Sequence, residues 1–245
     1  MGDSKRHSRR ASVITAIVLA AWAAAPVQAL QIDLDLGTLA SDQGWSFLSS
    51  GASETSVFST DGSQLLQDTL GVGRDYALYR MPILLDNDDP IELEFRARLD
   101  GTTELAGSGP GFYFAVFTGT ERYSLVLEPG RIATLEGTNL GALNTEVFHD
   151  YELFVVPGVS FSLYVDAQLF AAGSASAYGA SPTLEFGDGS FSQNASGALA
   201  SYSFYQGAEL LVPEPSTTLL LALGLTGLAL MGRTRRPARQ QRNDA

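Results

Sequence analysis

Apolar and polar positions alternate with a period of two through the middle of the chain. In Ile91-Glu92-Leu93-Glu94-Phe95-Arg96-Ala97-Arg98-Leu99 the apolar residues fall on one side and the charged ones on the other. Successive side chains of a strand point to opposite faces, so this run predicts a strand with one dry and one wet face. Similar runs cover residues 123–128, 131–135, 151–156, 161–165, 168–171 and 201–205. Weaker ones cover 32–36, 56–60, 65–68 and 76–81. Phe112-Tyr113-Phe114-Ala115-Val116-Phe117 is apolar throughout and predicts a central strand. Glu128-Pro129-Gly130-Arg131 has the Pro and Gly of a type II turn, and Asp166-Ala167 sits where a tight hairpin turn belongs. Between residues 30 and 206 no helical period lasts beyond two turns, and no repeat of fixed length suggests a propeller or solenoid. The fold class expected is all-β, an antiparallel two-sheet sandwich. Its core should include Ile91, Leu93, Phe95, Phe112, Phe114, Val116, Leu125, Leu153, Val155, Leu163 and Val165.

Both ends break this pattern. Lys5, Arg6, Arg9 and Arg10 precede an apolar run from Ala11 to Ala25, and Pro26-Val27-Gln28-Ala29 follows with small residues at a cleavage site. That is the layout of a secretory signal peptide, residues 1–29. At the other end Val212-Pro213-Glu214-Pro215-Ser216 precedes an apolar run over 217–232 and an arginine-rich segment over 233–245. Sixteen mostly apolar residues span about 24 Å as a helix, enough for a transmembrane helix with some local thinning. The arginines should stay cytoplasmic, leaving a sandwich domain (30–206) and a linker (207–216) outside.

The ordered triplet Pro213-Glu214-Pro215, short apolar helix and terminal arginines resemble the PEP-CTERM sorting signal of Gram-negative bacteria. The resemblance implies that an exosortase-type protease recognises the triplet and processes the chain there. It further implies release or transfer to the cell surface, in a system that accompanies extracellular polysaccharide.

A second resemblance concerns the middle. His149-Asp150-Tyr151-Glu152-Leu153, then Leu163-Tyr164-Val165-Asp166-Ala167, then Phe186-Gly187-Asp188 resemble the second half of a concanavalin A-like, or laminin G-like, jelly roll. Ala167 stands where that pattern has Gly. A type I′ turn requires positive φ at both central residues, so Ala167 predicts another turn type or a local bulge.

Composition narrows the chemistry. The 245 residues include no cysteine, which excludes disulfides, zinc–thiolate sites and thiol catalysis. The formal charge is −12, but between residues 30 and 212 six arginines face 24 acids, leaving −18. A surface this acidic excludes nucleic acid as a partner. His149 is the one histidine after the signal segment, and without a Gly-x-Ser-x-Gly elbow it reads as a structural residue. Glu92 and Glu94 share a strand face, as a glycosidase pair would. Arg96 and Arg98 follow on that face, so a solvated ion-pair face is the expectation.

Two further groups are candidates. Asp86, Asp88 and Asp89, in Asp86-Asn87-Asp88-Asp89-Pro90, offer the hard oxygen ligands of a calcium site; no other cofactor is expected. Trp45 and Tyr178 sit in Gly- and Ser-rich surroundings and are candidate ligand platforms. The Ala- and Ser-rich stretch 171–181 suggests a smooth loop without a defined site. Two functions are weighed. One is a non-catalytic exported protein sorted to the surface or polysaccharide matrix and binding glycan; the other is a secreted carbohydrate-active hydrolase on the same sandwich.

Overall fold

The computed structural model describes residues 30–72, 76–86, 89–103, 112–189 and 194–207. The expected signal peptide, Asp88, the Pro213-Glu214-Pro215 triplet, the transmembrane helix and the basic tail lie outside the described residues. Among the described residues no helix is long and apolar enough to cross a membrane.

The strands, in chain order, are β1 (Leu30–Asp33), β2 (Ser46–Ser49), β3 (Phe58–Thr60), β4 (Leu65–Asp68), β5 (Ala77–Pro82), β6 (Ile91–Thr102), β7 (Phe112–Phe117) and β8 (Glu121–Glu128). They continue with β9 (Arg131–Ala133), β10 (Asn139–Ala142), β11 (His149–Val156), β12 (Ser160–Val165), β13 (Gln168–Gly173), β14 (Ser176–Ala177), β15 (Thr183–Asp188) and β16 (Ala195–Gln206). One sheet runs β13-β12-β11-β6-β16-β4-β3, with β1 also on β16. The other runs β10-β9-β8-β7-β15-β5-β2, with β14 also on β8. Every pairing described is antiparallel, and the two sheets form the expected sandwich.

The alternation read from the sequence is the burial seen. On β6, Ile91, Leu93, Phe95, Ala97 and Leu99 all point into the sandwich. All eleven residues expected in the core are buried. Phe95 stacks on Phe114 of the opposite sheet, with ring centroids 3.8 Å apart, and on its neighbour Tyr151 at 4.8 Å. Burying each such ring contributes on the order of 2–3 kcal/mol.

β7 and β15 are buried on both faces, unlike β6. A second apolar cluster, Leu78, Tyr113, Ala115, Phe117 and Val126, lies on the outer face of the β7 sheet. This outer layer is the floor of the site described below.

The Asp166-Ala167 turn departs from expectation. Asp166 has φ 49° and Ala167 φ 62°, so the type I′ geometry survives with Ala in the left-handed region. Asp166 is held there by its own carboxylate, which accepts from the Asp150 N–H at 3.1 Å and faces His149 Nδ1 at 2.7 Å. The bulge lies further along the hairpin, where Leu163 pairs with Ala171 but Tyr164 with Leu169, leaving Phe170 over.

Candidate functional site

Strands β5, β15, β7 and β8 place their outward residues along a groove of about 760 Å³ on the outer face of their sheet. Its floor is polar at one point. Glu185 and Arg80 are register partners on β15 and β5. Arg80 Nε donates to Glu185 Oε1 at 2.5 Å, and the Tyr113 hydroxyl donates to Glu185 Oε2. The Glu185 side chain is only 6% exposed, whereas Arg80 is 46% exposed. Burial, and then the adjacent Glu185 carboxylate, push the Tyr113 phenol well above its usual range, so it stays a proton donor.

A buried carboxylate costs desolvation energy unless it is fully paired, and an apolar replacement of such a group is often more stable. This trio lies outside the main core and stitches no sheet that backbone bonds do not already hold. Its position in a groove therefore marks it as the candidate site.

One end of the groove is built by the segment after β13. The β14 residues Ser176 and Ala177 pair with Arg122 and Glu121, and Tyr178 N–H donates to Thr120 O at 2.8 Å. The Tyr178 ring is thereby set against Phe117, with centroids 5.3 Å apart, and beneath the Arg122 guanidinium at 4.6 Å. Arg122 is fixed in turn by Glu136, which accepts from its Nε at 3.1 Å and from a terminal nitrogen. Tyr178 remains 43% exposed. It is a pre-set aromatic surface, and Tyr76, Ala180 and Ser181 line the same groove. The stretch expected to hold no defined site thus supplies a wall of one. At the other end, a Cβ on Gly189 would overlap the Tyr113 ring, so glycine there lets the phenol reach Glu185.

The other candidates fall elsewhere. Trp45, expected as an exposed platform, is 4% exposed. Gly44 in the left-handed region, φ 92°, turns the chain so that the indole enters the core. There it packs edge-on to Phe186 at 5.0 Å and Tyr202 at 5.5 Å. Asp86 exchanges two hydrogen bonds with the Gln206 side chain through its backbone. Asp89 N–H donates to Asp86 O at 3.2 Å, and Asp88 is outside the described residues. Among the described residues no three acidic or histidine side chains converge on a metal position. His149 ties the β12–β13 turn to the chain before β11, with Nδ1 on Asp166 and Nε2 3.0 Å from Asn144 O.

The expected ion-pair face holds at Arg96, whose partner Asp150 lies directly across on β11, and fails at the glutamates. Arg96 pairs with Asp150 at 2.8 Å and Arg98 with Asp100 at 2.6 Å. Glu92 and Glu94 are instead left beside Glu152, which lies directly across from Glu94 on β11. Burial, then the charges of Glu94 and Glu152, raise the Glu92 carboxyl to about 7.

Glu185, the centre of the groove, was not among the sequence candidates. The one available signal was a single charged residue inside the otherwise uncharged run Thr183-Leu184-Glu185-Phe186-Gly187.

Several solved structures resemble the domain at low identity. The conserved carbohydrate esterase of the Shiga toxin-encoding bacteriophage phi24B has 11% identity and a TM-score of 0.46, over 67% of this chain and 91% of that one. An endo-1,3-β-glucanase from Streptomyces sioyaensis has 12% identity and a TM-score of 0.45, over 74% and 97%. A protein of unknown function from Shewanella oneidensis MR-1 has 11% identity and a TM-score of 0.47, over 73% and 86%. No curated protein matches the sequence. Residues 211–236 match the PEP-CTERM protein-sorting motif, so the chain carries, just past its sandwich domain, the sorting signal of exosortase substrates.

Proposed function

We propose that this is an exported, non-catalytic protein that binds saccharide in the groove of the β7 sheet. We further propose that it is delivered to the cell surface or extracellular polysaccharide matrix by exosortase-type processing at Pro213-Glu214-Pro215, after anchoring through residues 217–232. The sorting motif supports delivery. The observation that supports binding is the groove itself, where the Tyr178 face, Tyr76 and Phe117 stand beside the directed polar groups of Arg80, Glu185 and Tyr113. Sugars present an apolar ring face and a rim of hydroxyls, which aromatic surfaces and fixed polar groups meet respectively. Binding rather than hydrolysis is favoured by the carboxylate count. Glycosidases use two acids flanking the bond. Among the described residues lining the groove, Glu185 is the one carboxylate, and Arg80 and Tyr113 hold it.

A glycan array on the wild-type chain, repeated with Tyr178→Ala, tests the binding. The expected result is retention of at least one glycan class, weakened about tenfold or more by the substitution, with no new reducing ends. Release of reducing ends would establish the hydrolase instead. For delivery, replacing Pro213-Glu214-Pro215 with three alanines should leave the chain in the membrane fraction at full tail length. Prolines keep the triplet extended and accessible, whereas alanines let the following helix grow through it. Unchanged release and mass in that variant would refute the processing role.

A further inference from the structure

The outer half of Arg80 stands exposed in the groove. A guanidinium carries five N–H donors in a rigid planar fork. Arg80 commits its Nε to Glu185, and among the described residues this is the one polar partner it makes, leaving both terminal NH2 groups uncommitted there. Glu185 does more than neutralise the arginine. Because the carboxylate is itself fixed by the Tyr113 hydroxyl on β7, it orients the guanidinium plane from below. The result is a pre-aimed pair of NH2 groups on a half-exposed side chain at the floor of a groove.

The other described arginines differ. Arg96 is taken by both oxygens of Asp150, and Arg122 gives two nitrogens to Glu136. Arg98 pairs with Asp100 and lies over the Phe148 ring, and Arg131 closes on Glu128 within its own turn. Among the described arginines Arg80 alone combines a seat in the groove with a free terminal fork. A planar fork matches a carboxylate bidentately, and such charge-assisted pairs are about twice as strong as neutral hydrogen bonds.

We propose that the saccharide taken by this groove is acidic, a uronate-bearing chain whose carboxylate docks on the terminal guanidinium nitrogens of Arg80, with Glu185 and Tyr113 acting as positioning residues. The proposal rests on the saccharide reading of the groove. It also gives the acidic surface a consequence. With −18 between residues 30 and 212, a polyanion is repelled everywhere except where a contact arginine meets it. At physiological ionic strength that repulsion is screened within about 8 Å, while a direct contact is not. Binding should therefore be confined to the groove and not smeared over the surface.

The test compares polygalacturonate with its fully methyl-esterified form, on the full-length chain in detergent. The two ligands share the sugar and differ in the charge, so no variant is needed for the first answer. The expected result is at least tenfold tighter binding of the free acid. Arg80→Gln should erase that preference, and Arg80→Lys, which keeps the charge and loses the fork, should restore only part of it. Because Arg80→Gln leaves Glu185 without its cation, the double variant Arg80→Gln/Glu185→Gln serves as the control for folding, and it too should show no preference. Equal binding of acid and ester, or binding of neutral glucans alone, would overturn the acidic specificity while leaving the saccharide groove standing. Binding of no glycan of any class would overturn both.

Discussion

Ala167→Gly should stabilise this domain, and the size of the gain follows from the turn geometry. Ala167 holds φ 62°, with Asp166 at φ 49° before it. The left-handed region costs an L-residue other than glycine about 1–2 kcal/mol, because Cβ crowds the following carbonyl oxygen. Asp166 offsets its share through hydrogen bonds to Asp150 N–H and His149. Ala167 has no side chain with which to do so. Glycine removes the clash but adds freedom to the unfolded chain, worth about 0.5–1 kcal/mol against folding. The net gain expected is about 0.5–1 kcal/mol. For a domain of this size that corresponds to a rise in Tm of about 1–4 °C. Urea unfolding followed by the fluorescence of the buried Trp45 would measure it, with the same m-value in both proteins. A loss of stability, or a gain confined to a changed m-value, would refute the argument. Either result would mean that the turn is held by something other than the local backbone preference.

Other outcomes follow from the same geometry. Phe114→Ala, which removes a fully buried ring stacked between the sheets, should cost about 3–5 kcal/mol by denaturant titration. The crowded carboxylates Glu92, Glu94 and Glu152 should make stability fall as pH rises from 4.5 to about 7. Over that interval folded Glu92 keeps a proton that the unfolded chain has lost. Glu152→Gln should flatten this slope and raise the urea midpoint at pH 8, and an unchanged slope would show that the three do not interact. Below that range the sign reverses, because Asp166, held down chiefly by His149, and Asp61, held down chiefly by the Ser63 N–H, lose their stabilising bonds as they protonate. Gly189→Ala should push the Tyr113 ring away from Glu185, weaken saccharide retention and, by crowding a buried ring and leaving a buried carboxylate short of a partner, lower stability by about 1–3 kcal/mol in denaturant titration.

What could be read from the sequence was whatever a strand states about itself. The nine-residue alternation of Ile91–Leu99 fixed its own face, and every core residue expected on such grounds is buried. Ser46–Ser49 and Asn139–Ala142 escaped notice because they are short edge strands whose apolar content is too slight for a period. The first half of β16, Ala195-Ser196-Gly197-Ala198-Leu199, was missed for a different reason. It is built of small residues because Phe112 and the Arg98 carbonyl press against it, and a Cβ on Gly197 would strike both. The groove was harder still. Glu185 and Arg80 are separated by 105 positions, and only the β5–β15 register brings them together. Trp45 misled because a Gly-rich neighbourhood reads as exposed, whereas here Gly44 serves to turn the indole inward.

The place of β16 has a consequence for how such a chain assembles. It lies between β6 and β4 and also carries β1, so it alone joins the two halves of its sheet. It is also the last strand described, and its final residue, Gln206, pairs with Leu30, the first residue described. A chain threaded through a membrane N-terminus first delivers this strand last. Until then the β13-β12-β11-β6 half and the β4-β3 hairpin have no common partner, and β1 has none at all. Contacts spanning the whole domain make folding slow, and open strand edges invite pairing with other chains. In an exported chain the two pieces of this sheet would stay unpaired with each other until β16 had followed them across. By the same logic, a truncation that stops short of Ala195 would not trim the sheet but divide it.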